Sequence, residues 1–176
     1  MQIADVEFDC VRSAIYHGAR MHFLDRLNRW MLFIVVLSST ATMANFIVTL
    51  GISSEIFSII AATFAAANIA FGFSNRARDH DFLRRKYYEL LAKLVEQHDQ
   101  KDIAERVHCD MLRASAAEPP PLRALDAIAY NAALQGLGRD ESERIPIRWW
   151  ESLFRQMYPF NGTNFASRVV YQPKHG

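Results

Sequence analysis

Two tripeptides in the chain carry the residue types that hold metals or act as nucleophiles: Asp79-His80-Asp81 and His108-Cys109-Asp110. A structural zinc site needs about four ligands in a tetrahedral cage. Adjacent residues on a helix point in different directions, so a tripeptide cannot supply that cage alone. No second ligand set accompanies either one. Both read as exposed or partly packed helix edges, and no metal or cofactor is expected. The 7 glycines form no phosphate cradle, no G-x-S-x-G elbow is present, and Cys10 and Cys109 lie too far apart for a redox or metal pair. Carboxylates are scattered as they are on solvated helix faces. The chain does not read as an enzyme.

A second set of polar residues sits where polarity is costly. Ser38, Thr42, Asn45 and Thr49 recur at spacings of 4, 3 and 4 inside an uncharged stretch, and Asn68 lies inside another. On one continuous helix the first four share a face. In lipid such side chains either bond across to a neighbouring helix or line a wet lumen. Ser58, Ala62, Ala66 and Ala70 place a small residue at every fourth position. A ridge of that kind lets helices approach closely. Two helices cannot enclose water, so a conducting path would require a homo-oligomer. A third set, Arg76, Arg78, Arg84, Arg85 and Lys86, is basic. It suits either topology determination or binding of an anionic lipid or nucleotide messenger.

The elements that must position these residues follow from the charge distribution. The 176 residues are 51% hydrophobic and 22% charged with net charge +1, which excludes a strongly basic nucleic-acid binder. Yet no charge occurs between Arg29 and Glu55, nor between Glu55 and Arg76. A bilayer core of roughly 30 Å needs about 20 apolar helical residues. Both stretches meet that length, predicting spans at residues 30–50 and 56–73 joined by a turn at 51–55. Asp5, Glu7, Asp9 and Asp25 ahead of the first stretch fit a signal peptide poorly. Basic residues precede the first span and follow the second, and the turn has none, so both termini are expected in the cytoplasm.

Beyond the spans the helical period continues. Ile3, Cys10, His17 and Leu24 recur every seven residues, and His80, Leu83, Tyr87, Leu90 and Leu94 alternate at 3 and 4. Residues 1–29 predict an amphipathic cytoplasmic helix. Residues 74–117, free of Pro and Gly, predict one long cytoplasmic helix paired with it as a coiled-coil stalk. Each rod, span and extension together, would reach about 65–70 Å. Pro119-Pro120-Pro121 starts a C-terminal helical region over 118–176, with helices at 122–137 and 147–158 and a tail from Phe160 without clear period. The fold class expected is an all-α membrane protein.

The N-terminal run AIYHGARMHFLDRLNRW, the closely spaced spans, the basic exit SNRARDHDFLRRKYYELL and the later EPPPLRALDAIAYNAALQGLG together resemble the SLATT family. These are two-transmembrane effector domains associated with bacterial nucleotide-second-messenger conflict systems. The similarity covers about residues 4–155. It implies an oligomeric effector that forms a pore or perturbs the bacterial inner membrane in antiviral defence, halting the infected cell. No fused nucleotide sensor accompanies the spans, so the resemblance implies a separate sensor protein or a messenger as trigger. The alternative is a membrane-anchored scaffold or sensor subunit that recruits a soluble cytoplasmic partner.

Overall fold

A computed structural model describes residues 2–51 and 53–169; the side chains of residues 41–44, 54 and 56 lie outside the description. Among the described residues every regular element is helical. The order is α1 (Ile3–Ser38), α2 (Ala41–Thr49), α3 (Ser54–Phe71), α4 (Phe73–Glu96), α5 (Ile103–Ser115), α6 (Arg123–Gly136) and α7 (Trp149–Phe154), with short 3-10 turns at Glu141–Glu143 and Ala166–Arg168. The chain divides into two compact units, Met1–Arg20 with His80–Gly176, and Met21–Asp79.

In the first unit α1 is buried on two faces. Val6, Cys10 and Ala14 pack with Tyr87, Leu90 and Leu94 of α4 and with Ile103, Ala104, Val107 and Met111 of α5. The neighbouring face sends Phe8 against Ala133 and Leu134 of α6, and Tyr16 against Leu125 and Ala129. The far side of α6 then covers Ile145, Phe160 and Phe165 through Ala124 and Ala127. Small residues on α6 let each layer close against the next. Of the seven-residue repeat on α1, Cys10 and His17 are buried in this unit and Ile3 is exposed; Leu24, which falls in the second unit, is buried there.

The helix expected over 74–117 is instead two helices. α4 stops at Glu96, a polar run at 97–102 turns the chain, and α5 folds back so that Lys93 Nζ meets Asp110 Oδ2 at 2.8 Å. The physical reason is phase. At about 100° per residue, Ile103 would lie about 180° from Leu94 on a continuous helix. Only a reversal puts the stripe Ile103, Val107 and Met111 onto the same core as Leu90 and Leu94. The long antiparallel stalk is therefore replaced by a short layered bundle.

The C-terminal region starts and stops as its residues dictate. The Leu122 N–H donates to the Tyr16 hydroxyl at 3.0 Å ahead of α6. Gly138, at φ +62°, lets the Arg139 N–H reach the Leu134 carbonyl at 3.0 Å and the Gly138 N–H reach that of Gln135 at 3.3 Å, a Schellman ending. The helix expected over 147–158 is only the six residues of α7. Trp150 packs on Phe160 with ring centres 5.6 Å apart, whereas Trp149, Phe154 and Met157 are exposed. The tail from Phe160 docks on α6 as far as Val169; its remainder, residues 170–176, lies outside the described residues.

In the second unit α2 packs against α3. The span expected over 30–50 breaks at Ser39-Thr40. Three hydroxyls in a row turn back on carbonyls: Ser38 on Ile34 at 2.6 Å, Ser39 on Val36 at 2.7 Å and Thr40 on Leu37 at 2.9 Å. Such back-bonding competes with the helical ladder. One helical run, Phe57–Glu96, taken across Gly72 at φ +56°, holds an apolar window long enough to cross a membrane, with mean hydropathy 1.6 and none of that window buried. Among the described residues the broken stretch over 30–50 holds no such helix.

Candidate functional site

The apolar segment is the first site. Trp30, Leu32, Phe33, Val36, Phe46, Val48, Leu50, Ile59, Ile60, Ile69 and Phe71 are all exposed, Ile69 to 83%. Exposed apolar residues scattered singly are ordinary, but this many between Trp30 and Phe71 is the kind of surface that a lipid or protein partner covers. The four-residue stripe proposed for a lumen is not one helical face, because Ser38 ends α1 whereas Asn45 and Thr49 belong to α2. Ser38 is half-buried and bonds within its own helix, as does Thr49, whose hydroxyl donates to the Phe46 carbonyl at 2.5 Å. Asn45 is exposed, and the side chain of Thr42 lies outside the described residues. Asn68 is half-buried, and its Oδ1 is buried with no hydrogen-bond partner among the described residues.

The small-residue row Ser58, Ala62, Ala66 and Ala70 is exposed along its whole length, whereas Ala61, Ala65, Asn68 and Gly72 are half-buried. α3 thus leaves its ridge of smallest side chains uncovered.

The basic residues separate into two groups. Arg76 and Arg78 are exposed, and Arg78 Nη2 donates to Asn75 Oδ1 at 2.7 Å. Within the first unit, Arg84 and Arg85 both pair with Asp81, at 2.7 and 2.8 Å, and Lys86 lies 3.7 Å from Glu89. Asp81 thereby offsets much of the charge that a free anion would seek.

A third site was not legible as one. His17 of α1 and His80 of α4 are 1% and 5% exposed, and their Nδ1 atoms stand 2.8 Å apart. His80 is therefore a core residue, not the helix edge expected for Asp79-His80-Asp81. His17 Nε2 faces Glu118 Oε1 at 3.2 Å, and the Tyr87 hydroxyl donates to that same oxygen. The Tyr87 ring stacks on His17 with centres 5.7 Å apart, and Tyr16 closes the edge at 5.2 Å. A carboxylate beside His17 Nε2 favours the Nε2–H tautomer. One Nδ1 donates and the other accepts, and the assignment that the carboxylate favours is His80 Nδ1–H donating to a lone pair on His17 Nδ1. Burial first, then His17 and Arg20, push the His80 imidazole down to about 4, against a partial offset from Glu118. Burial raises the Glu118 carboxyl, but the nearby His17 ring, at ion-pair distance though not aligned for a hydrogen bond, and the Tyr87 hydroxyl bond outweigh it, and the net direction is downward. Burial followed by the Glu118 bond drives the Tyr87 hydroxyl above its ordinary range. The available signal was that His17 and His80 each occupy a core position of a clear apolar period. Glu118 gave none, being read as a linker residue before the prolines.

In His108-Cys109-Asp110, Cys109 is exposed and Asp110 is taken by Lys93 and Arg113. Among the described residues no cluster of His, Cys, Asp and Glu is arranged to hold a metal. Comparison with protein-family models, with curated proteins and with solved structures finds no match.

Proposed function

We propose that this chain is a membrane-inserted effector of the bacterial inner membrane, which assembles from several copies through α3 and opens or perturbs the bilayer in antiviral defence. The observation that carries the reading is the exposed apolar surface between Trp30 and Phe71, which water would not tolerate over such an extent. The uncovered row Ser58, Ala62, Ala66 and Ala70 supports assembly, since a second copy could approach closely along it. The orphaned Oδ1 of Asn68 supports it further, because an amide oxygen left unbonded in lipid costs free energy that a neighbouring donor relieves. Basic residues on both flanks favour both termini in the cytosol, with the stretch over 30–50, broken at Ser39-Thr40, entering the bilayer ahead of α3. The trigger, a separate sensor protein or a nucleotide messenger, acts by binding one state of the assembly better than another.

The test is forced expression with a membrane-potential dye, alongside a chain whose residues 30–73 are replaced by unrelated apolar helices. An effector depolarises the cell and loses this in the replacement. A chain that recruits its partner equally well after the replacement, and never depolarises, is a scaffold.

A further inference from the structure

The geometry points to the His17–His80 pair as a proton-operated latch that joins α1 to α4 at neutral pH and releases them on acidification. This deepens the membrane-effector reading by naming a regulation for it, and it rests on that reading only for its purpose. Two imidazole Nδ1 atoms at 2.8 Å can share one hydrogen and no more. A second proton at that contact would set two N–H groups against each other. A proton placed instead on His80 Nε2 leaves the bridge intact but creates a cation in a site only 5% exposed.

The groups around the pair decide how such a cation fares. From α1, Arg20 acts unfavourably on a charged His80; it is itself held by the Gln156 carbonyl at 2.7 Å. Tyr16 is engaged with the Leu122 N–H, and Tyr87 of α4 is spent on Glu118. Arg84 of α4 passes the backbone of Gly18. Among the described residues Glu118 is the carboxylate that acts on His80, and its carboxyl is held below its ordinary value, so it keeps its charge where His80 first takes a proton. Acid therefore adds a cation to a site shut off from water, and Glu118, which stands against the His17 ring at 3.2 Å, offsets it only in part. Cys10, Ala14 and Leu83, which flank the pair in the two helical periods, are apolar or neutral there and provide no alternative tie.

The experiment uses the full chain in dodecyl maltoside, with hydrogen–deuterium exchange read over residues 6–17 and 80–94 at pH 7.5 and 5.0 and corrected for intrinsic exchange. The latch predicts at least a tenfold loss of protection at pH 5.0 in the wild type and a loss several-fold smaller in His80→Gln. Equal protection at the two pH values in the wild type, or an equal loss in the variant, overturns it. Should His80→Gln fail to fold at pH 7.5, imidazole nitrogen resonances of the wild type decide. A shared-proton signal that disappears together with protection supports the latch, and a His80 that titrates near 6.5 without change in protection refutes it. Dye leakage from anionic vesicles is read separately. Loss of protection without leakage at any pH removes the membrane-effector reading and leaves the latch standing; leakage with unchanged protection does the reverse.

Discussion

Glu151 and Arg168 meet through two parallel hydrogen bonds, Nη1 to Oε2 and Nη2 to Oε1, each 2.8 Å long. Glu151 is fully buried, and its Oε2 also accepts the Arg148 N–H at 2.9 Å. One carboxylate thus ties the start of α7 to the last described turn of the chain. Cutting such a pair strands a buried charge, so Arg168→Ala should destabilise the first unit by roughly 3 kcal/mol. Arg168→Lys should recover only part, because an ammonium cannot make the fork. Denaturant melts read the loss, and limited proteolysis after residue 158 reads the freed tail. The Arg168 bonds hold the Glu151 carboxyl below its ordinary value. Its contribution is accordingly complete above about 4.5 and is lost as pH falls through the lower folded value.

Lys93 and Asp110 test the reversal between α4 and α5. They meet at 2.8 Å across the two helices, whereas on one continuous helix residues 17 apart would be about 25 Å apart. With Cys10 and Cys109 replaced by serine, Lys93→Cys together with Asp110→Cys should be joined within one chain by a short bismaleimide, seen as a mobility shift without dimer. Absence of that intrachain product would restore the single long helix.

Core positions separate from surface positions along the same helices. Leu94 is buried and Leu112 is exposed. Leu94→Ala should cost about 2–4 kcal/mol through the cavity it leaves, and Leu112→Ala under about 0.5 kcal/mol. Thermal melts of the detergent-extracted protein check both, and similar losses would mean that the bundle is packed differently.

Acid should weaken the first unit through His80. Its folded value of about 4 lies below the ordinary histidine value of 6.5, so its contribution is whole above about 6.5 and is lost as pH falls toward 4. The loss amounts to roughly 2 kcal/mol by pH 5 and roughly 3 kcal/mol at completion. The lowered carboxyl of Glu118 works in the same direction at still lower pH. Guanidinium melts at pH 7.5 and 5.0 measure it, and an unchanged midpoint would count against the buried neutral imidazole.

What the sequence disclosed was periodicity. Cys10, His17 and Leu24 announced one buried stripe, and Leu83 through Leu94 the other, since burial selects positions by the helical repeat. Gly138 announced a helix ending because only glycine adopts its left-handed backbone without strain. The reversal at 97–102 was hidden because it contains neither Pro nor Gly; the half-turn phase jump from Leu94 to Ile103 encoded it instead. The break at Ser39-Thr40 was hidden because isolated hydroxyls are tolerated in helices, and three consecutive ones compete with the backbone in a way that hydropathy does not register. Glu118 joined the histidines only through tertiary packing, which no local pattern reports.

The central claim is that the uncharged segment resides in lipid. Membranes from cells expressing the chain should be washed with alkaline carbonate and then extracted with dodecyl maltoside, comparing the wild type with Ile69→Arg, a charge placed on the most exposed apolar residue of α3. The account predicts that the wild type remains in the pellet until detergent is added and that the variant shifts toward the supernatant, since an arginine one helical turn inside the expected span end at Phe73 costs up to about 3 kcal/mol. A wild-type chain released by carbonate and monodisperse without detergent would contradict it.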